Sequence, residues 1–252
     1  MNERRRSMMG QATWELTRKF VHPEIEGAEN FAIVREHLKN GGTALLYSND
    51  PLKKREIPAI GIAVEDNLTS IDHFAGFVSR HQVDKDLELP KGLPNRIQHY
   101  LLMDKWAKTP GVKMIRVVQP KHRNLYPDWE EFNAVASDEA KAFLKTPGNV
   151  FGITPEGTRS ATGLIEAQPG VAMLFRDARD IALAMPLGIH HDTSKITVGR
   201  PFSWAELVED HKLNPGIKPT DRMMVRLALL LPEKQRGFYT QMAKDFILPQ
   251  AA

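Results

Sequence analysis

The sequence predicts a single α/β domain, a mixed β-sheet flanked by helices, with short helical additions at the N- and C-terminal ends. Three observations predict it. Short β-type apolar runs alternate with helical stretches along the chain, the pattern of a layered α/β domain. Neither an internal repeat nor a low-complexity linker interrupts that alternation. The chain has 252 residues, 42% hydrophobic and 26% charged, enough for one large folded core. On this reading residues 1–20 are an N-terminal helical segment and residues 21–252 the main domain.

Residues 11–21 can form a short helix through Trp14, Leu16 and Phe20. A helix is expected over 30–39, with Phe31, Ile33, Val34 and Leu38 apolar, stopped by Asn40-Gly41-Gly42. Residues 43–47 (TALLY) are a compact buried strand, whereas 57–64 fit either helix or strand. Residues 74–78 are a strand, 95–108 a helix with Ile97, Leu101, Leu102 and Trp106 on one face, and 112–118 a strand. A helix over 129–144 stops at Pro147-Gly148, and the strand 149–153 runs directly into Thr154-Pro155-Glu156-Gly157. Residues 170–177 are helical, 181–187 and 194–198 are strands, and 221–230 and 234–246 are the closing helices.

The chain contains no cysteine, which excludes disulfides, thiol catalysis and Cys-type zinc sites and fits a reducing compartment. A formal net charge of +3 is too small to argue for nucleic acid. Arg4-Arg5-Arg6 and Lys53-Lys54-Arg55 read first as solvated surface, and second as attraction to anionic headgroups or phosphates. No apolar run approaches the roughly 20 residues that span a bilayer, and residues 1–10 lack a signal-peptide core. A cytoplasmic location is expected, with any membrane contact peripheral.

The segment 149–160, NVFGITPEGTRS, carries the functional reading. A buried strand ends, a proline stiffens the exit, and a glycine permits close backbone approach. Ligands of α/β sheets bind where strands end in loops. There Arg159 can hold a phosphate by a forked contact, Gly157 and Thr158 can offer backbone and hydroxyl groups, and Glu156 can orient the arginine or bond a hydroxyl. The plain alternative is a polar turn with an internal Glu–Arg pair.

The string Pro155-Glu156-Gly157-Thr158-Arg159-Ser160 resembles the FPEGTRS motif of the PlsC-like family, the lysophosphatidic acid and glycerol-3-phosphate acyltransferases, with Thr154 in place of the usual Phe. The resemblance covers roughly residues 20–240. Residues 25–30 resemble the family's Gly-x-Glu-Asn start, 41–49 the strand leading into the first catalytic block, and 112–118 the second block. Residues 181–189 resemble the fourth block, with Pro186 as the matching proline. Gly199-Arg200-Pro201 resembles a later Gly-x-Pro strand end, and residues 231–239 a C-terminal pattern of some members. Arg116 is the nearest match to the arginine associated with the acceptor phosphate, with Lys121 or Arg123 able to serve instead.

The chemistry this resemblance implies is acyl transfer from a thioester, acyl-CoA or acyl carrier protein, to a hydroxyl of a glycerol phosphate or lysophospholipid. It needs no metal or organic cofactor, and nucleic acid is not an expected partner. In the family's Asn-His-x4-Asp motif the histidine accepts the hydroxyl proton and the aspartate orients it. Aligned through residues 45–49, the histidine position falls on Asp50 and the aspartate position on Arg55. Asp50 can act as a base only if burial raises its pKa, and Lys53, Lys54 and Arg55 oppose that. A second register puts His81 and Asp86 in the two roles, with Arg80 replacing Asn. The Asp50 register is favoured, because the Gly-x-Glu-Asn and Gly-Gly-strand signals precede it.

Other histidines carry less. His99 and Asp104 fall in a predicted helix and point about 140° apart. His190-His191-Asp192 follows a strand end and reads as a loop in preference to a metal site. His22, His37, His73, His122 and His211 have no supporting constellation. The loss at Asp50 leaves a second functional expectation, a catalytically weakened or inactive relative that binds lipid or acyl carrier. Nucleic-acid binding is a third and rests on the basic isoelectric point, about 9.0, alone.

Overall fold

The computed structural model describes residues 15, 17–53, 56–68, 73–81, 111–193 and 195–246. Within these, seven strands form one sheet: β1 (Ile25–Glu26), β2 (Thr43–Ser48), β3 (His73–Ser79), β4 (Val112–Val117), β5 (Asn149–Ile153), β6 (Ala182–Ile189) and β7 (Ile196–Val198), in the order β1-β7-β6-β2-β5-β3-β4. Every neighbouring pair is parallel except β6–β7, so the sheet is mixed. The four expected strands over 43–47, 112–118, 149–153 and 181–187 therefore share one sheet.

All six residues of β2 are buried, because helices cover both faces of this central strand. Its side chains alternate between two apolar layers. Leu45 and Tyr47 join Phe151, Phe175, Phe202 and Met223 on one face, and Ala44 and Leu46 join Phe31, Val34, Val150 and Leu187 on the other. The first layer is closed by α3 (Trp129–Leu144), α4 (Gly170–Asp177), α5 (Trp204–Leu213) and α6 (Pro219–Ala228), the second by α1 (Asn30–Lys39) and α2 (Glu56–Asn67). The stripe Phe31, Val34, Leu38 is buried at helical spacing, and α1 ends at Gly41, whose φ of 84° is left-handed. Burying each large core side chain of this kind contributes about 1.5–3 kcal/mol.

The ambiguous stretch 57–64 is helical, as part of α2: Ala59, Ile62 and Ala63 face the core while Ile57 stays exposed. The helix expected over 234–246 is broken. Short 3₁₀ turns at Glu233–Gln235 and Gly237–Tyr239 precede α7 (Thr240–Asp245). The break follows from Gly237, with φ 49°, whose missing Cβ lets the chain approach the Leu164 backbone; the Phe238 N–H donates to the Leu164 carbonyl at 2.8 Å. The strand expected over 194–198 shortens to β7, and the helix over 221–230 begins earlier, at Pro219. Of the helix expected over 11–21, residues 15 and 17–20 are helical, residue 21 is not, and residues 11–14 and 16 lie outside the described residues. The helix expected over 95–108 lies outside the described residues. Among the described residues no helix is long and apolar enough to cross a membrane.

Candidate active site at the strand ends

Because β2, β3, β4, β5 and β6 run parallel, their C-terminal ends open on one rim. Residues 49–50, 80–81, 118–121, 154–159 and 190–191 all follow those ends. This is the place in an open α/β sheet where ligands bind.

The loop after β5 is tied down by the buried Glu156. Its Oε2 accepts the Asp50 N–H at 3.0 Å and its Oε1 accepts the Ile165 N–H at 2.9 Å. Burial pushes the Glu156 carboxyl up to about 7; the two N–H bonds pull it down and the Asp50 charge adds to the rise. Gly157 turns the chain with φ 65°, a conformation that favours glycine, and its N–H closes on Thr154 at 3.1 Å. Glu156 thus orients the backbone of Asp50, and its oxygens do not reach Arg159.

Arg159 lies beside Asp50 instead, its Nε 3.8 Å from Oδ1, with the arginine side chain 56% exposed. The Lys121 ammonium donates to the Thr158 hydroxyl at 3.0 Å. Burial raises the Asp50 carboxyl above its ordinary value, opposed in turn by Arg159, Lys121 and His191. Of the 53–55 cluster expected to oppose that rise, the Lys53 ammonium donates to the His191 carbonyl, and residues 54 and 55 lie outside the described residues. Arg159 and Lys121 together give the rim two cations with donors to spare, a setting for a phosphate.

Arg116 stands within β4, exposed and paired with Val78, and Arg123 stacks on Trp129 at 4.0 Å. Of the three basic residues considered for the phosphate, Lys121 is the one that touches the loop. His81 sits one strand further from Asp50, past β5, against the His122 ring at 4.0 Å, with the Tyr126 hydroxyl 3.4 Å from its Nδ1. Arg80 beside it is bound to Asp128 at 2.9 Å. Asp86 lies outside the described residues. Asp50, and not His81, is the side chain that faces Arg159.

An imidazole nevertheless reaches this place from another strand. Asn49 pairs twice with Ile189: its Oδ1 accepts the Ile189 N–H at 2.8 Å and its Nδ2 donates to the Ile189 carbonyl at 3.0 Å. That fixes the amide, so the second Nδ2 hydrogen meets Nε2 of His191 at 3.2 Å. With Nε2 accepting, Nδ1 donates to the Glu56 carboxylate, at 3.2 and 3.3 Å from its two oxygens. Glu56 is wholly buried and also accepts the Leu52 and Lys53 N–H groups, at 2.7 and 3.0 Å. The Gln235 Oε1 holds the His191 N–H at 3.3 Å.

Glu56, His191 and Asn49 did not emerge as site residues from the sequence. The signal was present in two places: a glutamate one position past the expected aspartate, and a histidine two residues beyond the Pro-x-Gly-Ile strand. Only the parallel register of β2 against β6, which sets Ser48 opposite Leu187, brings these together. A separate cleft of about 430 Å³, lined by Lys145, Asp177, Arg179 and Asp180, lies before β6 at the opposite rim. Comparison of the chain with protein-family models and with curated proteins finds no match.

Proposed function

We propose that the protein transfers an acyl group from a thioester, acyl-CoA or acyl carrier protein, to the hydroxyl of a glycerol phosphate or lysophospholipid. The observation that carries this reading is the 155–160 loop. It lies at the ends of parallel strands, is clamped to the Asp50 backbone through Glu156, and presents Arg159 and Lys121 beside Asp50. Two cations at an open rim suit the phosphate of such an acceptor, and the 56% exposure of the Arg159 side chain leaves its guanidinium accessible. The donor and the acyl chain would approach along the same rim, as peripheral contact with a membrane surface permits.

Arg159→Ala tests the reading. Loss of one charge-assisted contact should weaken glycerol 3-phosphate or lysophosphatidate binding by about 1.5–3 kcal/mol, roughly 10- to 150-fold in Kd. Calorimetry showing equal affinity in the variant would reduce the loop to an ordinary turn. A second reading, a non-catalytic lipid- or acyl-carrier-binding relative, is favoured by one observation: Asp50 stands where the resembled family carries its histidine. Thiol release from acyl-CoA or acyl carrier protein, with and without acceptor, separates the two.

A further inference from the structure

We infer that His191, oriented by Glu56, is the general base of this site, an imidazole–carboxylate pair assembled from the end of β6 and the start of α2. The inference rests on the acyl-transfer reading and names the residue that takes the proton.

Three features of the geometry carry it. First, the tautomer suits a base. The double pairing of Asn49 with Ile189 leaves Nε2 of His191 as an acceptor and Nδ1 as the donor to Glu56. Second, the ring is fixed from both ends of the residue. Gln235 holds its N–H, Lys53 its carbonyl, and Glu56 its Nδ1, and the side chain remains 14% exposed. Glu56 makes no bond that a helix-capping role alone would not explain, except the one to the ring. Third, the ring stands next to the phosphate-binding candidates. Asn49, whose amide meets the ring at 3.2 Å, is the residue before Asp50, and Asp50 lies 3.8 Å from Arg159.

In the transfer step the acceptor hydroxyl displaces the long Asn49 contact at Nε2. The Nε2 lone pair takes the hydroxyl proton as the oxygen attacks the thioester carbonyl carbon, and a C–O bond forms. The tetrahedral intermediate collapses with cleavage of the C–S bond. The leaving sulfur takes the proton back from Nε2, giving ester, free thiol and a neutral imidazole. Glu56 acts through the ring and is a positioning residue: it holds Nδ1 and balances the transient positive charge.

The experiment uses the full chain, acyl-CoA and acyl carrier protein as donors, and glycerol 3-phosphate and lysophosphatidate as acceptors. It reads thiol release, acceptor affinity by calorimetry, and melting temperature. His191→Ala should lower kcat by about 10²–10⁴-fold, the usual share of a positioned base, with acceptor affinity within about twofold. Added imidazole should restore part of the rate. Glu56→Gln should lower kcat at unchanged acceptor KM, and Glu56→Asp, which keeps the charge, should recover part of that loss. His191→Gln serves as the second variant if His191→Ala is unstable.

Transfer that survives both His191 variants overturns the inference while leaving the acyl-transfer reading intact. Loss of transfer that tracks loss of acceptor binding or of melting temperature, without rescue by imidazole, assigns His191 a structural role and overturns it as well. A wild-type chain that binds acceptor and releases no thiol defeats both this inference and the transfer reading in favour of the binding relative. A wild-type chain that neither binds acceptor nor releases thiol defeats the site as a whole.

Discussion

Replacing Glu156 by Gln should flatten the dependence of stability on pH. Glu156 has an ordinary value of 4.5 and is raised to about 7 in the folded protein, because burial penalises its charge more than two N–H bonds favour it. A raised carboxyl contributes stability that is fully present below pH 4.5 and is lost as pH rises through the folded value near 7. Between about pH 5.5 and about pH 8.5 the loss integrates to about 2 kcal/mol. Glutamine removes the titration. It also keeps only one acceptor for the Asp50 and Ile165 N–H groups and turns an amide N–H₂ toward the other. That costs about 1–3 kcal/mol, independent of pH. Urea unfolding followed by tryptophan fluorescence at both pH values gives the two differences. The wild type should lose about 2 kcal/mol more than the variant on going to the higher pH. Parallel pH dependences, whatever their offset, would show that burial does not raise the Glu156 carboxyl in the folded protein.

Two further outcomes follow from the same geometry. Asp50→Asn should tighten glycerol 3-phosphate binding by about 1 kcal/mol, roughly fivefold, because the aspartate next to Arg159 competes with a phosphate for that guanidinium; unchanged or weaker affinity by calorimetry would mean that the phosphate binds elsewhere. Tyr239→Phe should destabilise the fold by about 1–3 kcal/mol in urea unfolding, since the buried hydroxyl accepts the Ala167 N–H at 3.0 Å and donates to Asp221 at 3.1 Å; a loss below about 0.5 kcal/mol would mean that water replaces both bonds.

What the sequence made legible was local. Residues 43–47 and 149–153 read as strands because a strand covered on both faces is apolar without interruption, and the 155–160 loop read as a site because its residue types are grouped in one short stretch. Residues 57–64 stayed ambiguous for the same reason: an apolar run carries no period until one knows that Ile57 faces water. The break at Gly237 depends on where the Leu164 backbone lies, which no nearby residue reports. The pairing of His191 with Glu56 spans 135 residues and exists only through the β2–β6 register, so a scan for histidine and aspartate at fixed spacing passes over it.

Asn49 has a consequence for the timing of the site. Its amide takes the Ile189 N–H and carbonyl just past the last rung of the β2–β6 ladder, where Ser48 stands opposite Leu187. A side chain thus supplies one more step of pairing where strand ends ordinarily fray. The peptide hydrogen of Ile189 is then locked by the sheet as well as by its neighbours, and the Gln235 amide closes on the same carbonyl at 3.1 Å. Solvent exchange at that hydrogen requires the two strands to part, an excursion drawn from the stable end of the molecule's opening spectrum. The rim around residues 49 and 189–191 therefore breathes with the sheet interior, and rapid local motion is left to the loop surfaces around it.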